Sequence, residues 1–296
     1  MLLQLFILYD TGGDVVGRYT VQVVMPVYNA AKTLNKSLDS LICQTYKDWQ
    51  VILVDDYSKD NSLEILNDYA QKDNRFCVVA LDNNCGASGA RNKALDLIDA
   101  KYVAFLDSDD YWEPQMLEKM VNLAENNNCD VIQCRFIYDF PGGRTYLPSG
   151  AFKKDVLLEG KGLRKVYLKM MTGINMNHVC MKLIRSSLIH KLRFDTSLPT
   201  AEDLEMCVRM FENVDRYYFT TDVMYHYCRY ENSLTGSGLS FKKKMTANIR
   251  VSKTMVSQLK KWGMNNPFYK TLALLRPYII IVSKVFRIVR EKLLKD

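Results

Sequence analysis

The chain has 296 residues, of which 48% are hydrophobic and 25% charged, enough to bury a large core and too apolar for a disordered chain. Eight cysteines (Cys43, Cys77, Cys85, Cys129, Cys134, Cys180, Cys207 and Cys228) are scattered without a C-x-x-C pair, so buried free thiols in a reducing cytosol are expected rather than a disulfide framework. The net charge of +7 is uneven: residues 241–296 carry 14 Lys and Arg against Glu291 and Asp296, which leaves a mildly acidic body. Such a tail seeks an anionic surface, and because RNA-binding signatures are missing the expected partner is anionic lipid, with no nucleic acid.

In chain order, the apolar start MLLQLFIL is too short to span a bilayer and lacks a basic flank. It reads as an extra strand, a surface anchor or a start-site extension, and residues 1–20 are set apart as an N-terminal extension. From Val21 short apolar runs alternate with amphipathic helical stretches. VQVVM is followed by a helix with Leu34, Leu38, Leu41 and Ile42 on one face, then QVILV. A helix with Leu63, Leu66 and Tyr69 or Ala70 in register comes next, then FCVVAL, a helix over 87–98, and YVAFL. Near-continuous apolar strands separated by helices imply a parallel sheet covered on both faces, an α/β doubly wound unit.

Beyond Pro114 the pattern gives a helix to about Asn126, a strand from Val131 to Tyr138, and a Pro-Gly-Gly hairpin turn at 141–143. More helices and strands follow to about Tyr230. A boundary is placed near 235, after which residues 236–296 read as a basic helical region broken at Asn266-Pro267 and near Pro277. No transmembrane helix is expected.

Ligands of such sheets bind beyond the carboxyl ends of the strands. There stand Pro26-Val27-Tyr28-Asn29, Asp55-Asp56-Tyr57-Ser58, Asn83-Asn84 and Asp107-Ser108-Asp109-Asp110, four polar or acidic strand ends on one edge. In the last of these, Asp107 and Asp109 fall on the same side of an extended turn and can share one hard divalent cation, Mn²⁺ or Mg²⁺, with phosphate oxygens. The competing reading is an Asp-rich turn that caps the helix after Pro114.

Three segments, PVYNAAKTLNKSLDSLICQTYKDWQVILVDDYSKDNSLEIL, NNCGASGARNKAL and YVAFLDSDDYWEP, occur in the order and with the gaps of the family 2 glycosyltransferases, and residues 21–120 closely resemble them. The resemblance implies a GT-A fold, that is, a Rossmann-like, mixed but mostly parallel sheet with helices on both faces, here with a helical C-terminal extension. It also implies an inverting transferase that uses a nucleotide sugar, usually UDP-linked, and a divalent metal. The catalytic domain would be 21–235, its nucleotide-sugar half 21–120 and its acceptor half 121–235.

On the family pattern Pro26 and Tyr28 wall the base pocket and Asp56 accepts from the base. Asn84 and Arg91 contact base, ribose or phosphate, Asp107 serves the ribose or bridges to the metal, and Asp109 is the metal ligand, with Asp110 behind them. Arg91 is equally readable as a structural partner of Asp56 or Asp107. The segment MKLIRSSLIHKLRFDTSLPTAEDLEMCVRMF resembles the acceptor half, where a Glu-Asp pair opens a helix. That makes Glu202 substrate-binding and Asp203 the general base, against the plain alternative of acids favoured at a helix N-terminus. YHYCRYENSLTG is a looser match, in which His226 and Arg229 could reach pyrophosphate, and His178 reads either as a neighbour of the metal or as a satisfied structural histidine.

Two departures bear on the base pocket: Tyr57 stands where the family has Gly or another small residue, and Lys59 replaces a common Thr. If the turn needs positive φ, Tyr57 is strained. From Tyr278 apolar residues recur at 278, 281, 282, 285, 288 and 289 opposite Lys284, Arg287 and Arg290, a basic amphipathic helix. It would lie on an anionic membrane, or pack on the catalytic domain or a second subunit as a homodimer. The function expected is transfer from a UDP-sugar to a saccharide or lipid-linked saccharide acceptor in surface polysaccharide biosynthesis, in the cytoplasm or on the inner face of the cell membrane. The alternative is a non-catalytic nucleotide-sugar-binding or scaffolding protein at the membrane. A nucleotidyltransferase is disfavoured, because PVYNAAKT does not resemble its Gly-rich loop.

Overall fold

The computed structural model describes residues 8–9, 15–16, 18–173, 176–230 and 239–293, with backbone alone at 8–9, 15–16 and 282–293. In chain order the elements are β1 (Leu8–Tyr9), β2 (Val15–Val16), β3 (Val21–Val27), α1 (Leu34–Ile42), β4 (Trp49–Asp55), α2 (Ser62–Lys72), β5 (Phe76–Ala80), α3 (Gly86–Leu95), β6 (Tyr102–Phe105) and β7 (Tyr111–Trp112). The second half adds α4 (Met116–Asn127), β8 (Val131–Asp139), β9 (Thr145–Tyr146), β10 (Val156–Glu159), α5 (Arg164–Thr172), β11 (Lys182–Arg185), α6 (Ser186–Ile189), α7 (Glu202–Met210), β12 (Arg216–Cys228), α8 (Phe241–Gln258) and α9 (Pro267–Leu293).

One sheet runs β10-β12-β8-β11-β6-β3-β4-β5, with β7 added on β12 and β9 on β8. β3 lies parallel to both β4 and β6, and β4 parallel to β5. β11 is antiparallel to both β6 and β8, and β12 is parallel to β8. Hence β8 and β12 run in the direction of β6, and the carboxyl ends of β3, β4, β5, β6, β8 and β12 share one edge. This is the mixed, mostly parallel α/β sheet expected. The central strands are apolar throughout because both faces are covered: β3 and β4 contribute Val23, Val24, Met25, Val51, Ile52, Leu53 and Val54, all at most 1% exposed.

Some local readings are revised. Leu34, Leu38 and Leu41 of α1 are buried, whereas Ile42 is 41% exposed, one position past the covered stripe. The 141–143 turn does close a hairpin between β8 and β9. The chain breaks at Asn266, whose side chain accepts from the Tyr269 amide at 3.0 Å and caps α9, with Pro267 at its first position. It does not break at Pro277, which lies inside α9. There α9 is clamped by the neighbouring Arg276, 1% exposed, whose Nε donates to the Met170 carbonyl of α5 and Nη1 to Asn248 of α8. Tertiary packing here outweighs the lost helical bond. Ala247, Val251, Met255 and Ala273 of the two C-terminal helices join the same core as the sheet, so these helices pack on the body. The start of the chain contributes only the short pair β1–β2 to the described residues; most of MLLQLFIL lies outside them. All eight cysteines are free, five of them buried.

Helix α3 is shaped by two glycines. Gly86 opens it at φ +75°, and at Gly89 a Cβ would sit 2.5 Å from the Cys85 sulfur and 2.7 Å from its Cβ. Gly89→Ala is expected to lower unfolding free energy by about 1–3 kcal/mol, and adding Cys85→Gly to restore most of it. Urea denaturation of both variants checks this; an unaffected single variant would contradict the close packing.

Candidate active site

The four polar strand ends meet as anticipated. Asp55 ends β4 and Asp107 follows β6, and β3 lies between those two strands, so the two acidic groups stand two strand spacings apart, about 10 Å. A nucleoside diphosphate bridges such a gap.

On the β4 side, Asp56 is 2% exposed. Its Oδ1 accepts from the Cys85 amide at 2.7 Å and its Oδ2 from the Gly86 amide at 2.8 Å, so it caps the first turn of α3. The Asn84 side chain donates to the Asp56 carbonyl at 3.0 Å. Asp55 Oδ2 accepts from the Ser58 amide, while its buried Oδ1 has no partner among the described residues. Tyr57 does adopt positive φ, 64°, with the Lys59 ammonium 3.1 Å from its ring centroid, so the strain foreseen for this turn is present. Pro26 is half-buried at the end of β3. Beyond it Tyr28 and Tyr57 leave rings 43% and 44% exposed at the mouth.

On the β6 side, Arg91 of α3 is 5% exposed and is held by three carboxylates: Asp107 at 2.8 Å, Asp203 at 3.3 Å and Glu202 at 3.5 Å. Burial alone would favour the neutral form, but Asp203, Asp107 and Glu202 overcome it and hold the guanidinium well above its ordinary value. The structure thus gives Arg91 the carboxylate-pairing position rather than an open face toward a phosphate. Through it the donor-side loop and the Glu202-Asp203 start of α7 become one cluster. Ala201, just before that pair, has φ 64°. Burial, then Asp203, raises the Glu202 carboxyl, which Arg91 opposes.

The acidic turn divides into two roles. Asp110 is buried and fastens β12 to the turn, accepting from Tyr225 Oη at 2.5 Å and the Cys228 amide at 2.8 Å. Burial, then Asp107 and Asp109, push its carboxyl well above the usual range. Asp109 is half-buried, and burial, then the nearby Asp107, push its carboxyl up to about 6, against a lowering by a backbone hydrogen bond and by Arg229. A crowded carboxylate of this kind suits a divalent cation. Among the described residues no three His, Cys, Asp or Glu groups are placed to hold a metal ion.

Other residues differ from expectation. His226 is tied up, its Nε2 2.8 Å from Glu113, its Nδ1 3.0 Å from Asp139, and its ring stacked on Tyr111 at 4.2 Å. The Glu-x-Ser after it lies outside the described residues. Sequence reading missed Lys182, fully buried in β11, whose ammonium donates to the carbonyls of Met176 and His178. Its place between Met181 and Leu183 in an apolar strand was the available signal.

The glycosyl transferase family 2 profile matches residues 22–193. The chain is 31% identical over 217 residues to the uncharacterized glycosyltransferase EpsJ of Bacillus subtilis, covering 73% of this chain and 62% of that protein. It is 30% identical to the cholesterol galactosyltransferase of Borreliella burgdorferi, over 95% of this chain and 83% of that one. Residues 1–349 of S. aureus TarS share the fold, with a TM-score of 0.68 at 22% identity over 88% of this chain and 70% of that one; that protein has also been solved with UDP and with UDP-GlcNAc.

Two outcomes follow from the charge cluster. Arg91→Met should destabilise the fold by about 1–3 kcal/mol, because it leaves three half-buried carboxylates without their partner, with Arg91→Lys intermediate; chemical denaturation measures both. Since the Asp109 carboxyl titrates higher folded than unfolded, it costs stability as pH rises from about 4 through 6. In EDTA, Asp109→Asn should therefore match wild type below pH 4 and exceed it by about 2 kcal/mol at pH 7. An equal difference at both pH values would contradict the burial of this charge.

Proposed function

Because the chain belongs to glycosyl transferase family 2, we propose that it transfers a sugar, with inversion, from a nucleotide diphosphate donor, a UDP-sugar, to a saccharide or lipid-linked saccharide acceptor in surface polysaccharide or glycolipid assembly. The observation that carries this is the single cluster Asp107–Arg91–Asp203, which places a cation-seeking acidic turn beside a carboxylate at the start of a helix on one sheet edge.

In this reading the base lies between the Tyr28 ring and the Asp55-Asp56 turn, against Pro26, with Asn84 bracing that turn. The diphosphate reaches Asp109, and Asp107 faces the ribose or shares the ion. Mn²⁺ or Mg²⁺ bound by Asp109 and the diphosphate would neutralise charge on the leaving group. A mannosyltransferase of the same fold from Pyrobaculum calidifontis, 17% identical with a TM-score of 0.54, has been solved with GDP-Man and Mn²⁺. Asp203, 17% exposed, accepts the acceptor hydroxyl's proton as that oxygen bonds to the anomeric carbon and the bond from that carbon to the diphosphate oxygen breaks, releasing the nucleoside diphosphate. Glu202 lines the acceptor side. Arg91 acts through its partners: it orients Asp203 while holding Asp107.

The C-terminal helices extend this reading to the membrane. Phe241, Phe268, Leu274, Leu275 and Tyr278 are exposed, at 67%, 67%, 44%, 47% and 54%, on helices that also carry Lys242, Lys243, Lys244 and Lys270. This combination suits a peripheral anionic surface. No helix among the described residues is long and apolar enough to cross a membrane.

Asp109→Ala should abolish transfer and weaken UDP binding in Mn²⁺ but not in EDTA. Asp203→Asn should abolish transfer, a loss of about a thousandfold or more, with UDP binding intact. Calorimetry and product analysis separate the two; full transfer by Asp203→Asn, or tight UDP binding with no turnover in wild type, would refute the enzymatic reading, the latter in favour of a scaffold.

A further inference from the structure

We propose that His178 hydrogen-bonds a hydroxyl of the sugar being transferred and so helps to select the donor, an inference that rests on the reading of this cleft as a nucleotide-sugar site. The loop that carries His178 packs against both the donor-side acid and the candidate base. The neighbouring Val179 amide lies 3.5 Å from Asp203 Oδ2, and the Cys180 sulfur 3.4 Å from Asp107 Oδ2. In that reading the transferred sugar lies beside this loop, because its anomeric carbon has to stand between the acceptor oxygen at Asp203 and the diphosphate at Asp109.

The backbone of the loop is fixed from beneath. The fully buried Lys182 ammonium donates to the Met176 carbonyl at 3.1 Å and to the His178 carbonyl at 2.5 Å, and the Lys182 amide donates to Val179. The Phe136 ring flanks the imidazole at 6.1 Å. So anchored, the half-buried ring has no hydrogen-bond partner among the described residues, unlike His226, whose two nitrogens are both engaged. A half-buried polar ring thus stands on an anchored loop, within electrostatic reach of Asp203 and Asp107, with both nitrogens unpaired among the described residues.

The chemistry of the ring selects the ligand. Burial pushes the imidazole below its ordinary value; Asp203 and Asp107 oppose this, and Lys182 and Arg229 reinforce it. A neutral imidazole offers one donor and one acceptor, the same pair a sugar hydroxyl presents, whereas a diphosphate would call for a cation.

The test uses the full chain and its His178→Ala and His178→Gln variants, titrated by calorimetry with Mn²⁺ and UDP, UDP-glucose, UDP-galactose, UDP-GlcNAc and UDP-GalNAc. For the UDP-sugar that wild type binds best, His178→Ala should lose about tenfold in affinity, the worth of one buried hydrogen bond. UDP itself should bind unchanged, and His178→Gln should recover part of the loss. The proposal is overturned if the Ala variant keeps the UDP-sugar affinity, if it loses UDP and UDP-sugar equally, or if wild type gains nothing from any sugar over UDP. Should wild type bind no uridine nucleotide at all, the donor reading itself fails, a distinct result that removes this inference with it.

Discussion

One buried guanidinium holds the two halves of this protein's cleft together. Arg91 projects from α3, whose first turn is built on the donor-side loop, and reaches both the end of β6 and the start of α7. A charge at 5% exposure persists only where opposite charges replace its lost water. Asp107, Asp203 and Glu202 do so, and they exceed what one cation can neutralise. With Asp109 added, this rim holds more carboxylate than Arg91 pairs with, which suits a divalent ion. Burial, reinforced by the neighbouring Asp107, pushes the Asp109 and Asp110 carboxyls up.

Stability is conceded at the same rim. Of the four non-glycine residues with positive φ among the described residues, Asn29, Tyr57 and Ala201 stand beside the cleft, while Asn128 ends a helix, α4. Such conformations cost about 1–3 kcal/mol each and persist where the surroundings impose them. Asn29 shows how: its side-chain oxygen accepts from the Lys59 amide at 2.7 Å, and its own amide donates to Ser58. The turns after β3 and β4 are thereby locked to each other, which presents the exposed rings of Tyr28 and Tyr57 at fixed positions. Ala201 turns the chain so that Glu202 and Asp203 enter α7 facing Arg91.

Much of this was legible in the sequence. Continuous apolar runs gave the parallel strands, and strand-end positions located the acidic and aromatic groups, because parallel topology leaves little choice about which edge they occupy. Less was visible where pairing is long-range. That Arg91 faces Asp203 depends on β11 and α7 returning to the donor half, a separation of 112 residues, and local pattern carries no such information. His226 read as a pyrophosphate contact because its partners Glu113 and Asp139 come from β7's flank and β8. Pro277 read as a helix end because a proline's local cost is visible in sequence, while the grip of α5 and α8 on Arg276 is not. Lys182 stands inside an apolar strand, a sign of burial, but that its ammonium supports the 176–180 loop is visible only in the structure.

In the proposed complex the Asp55-Asp56 turn and Asp109 grip the two ends of one nucleotide. This arrangement is tested most directly by a crystal structure of the full chain grown with UDP and Mn²⁺, using anomalous scattering to locate the metal. The account predicts a manganese peak within coordination distance of an Asp109 carboxylate oxygen and of a diphosphate oxygen, with the uracil stacked by Tyr28 beside Asp56. A nucleotide bound away from the carboxyl edge of β3, β4 and β6, or a metal on the diphosphate with no contact to the acidic turn, would contradict it.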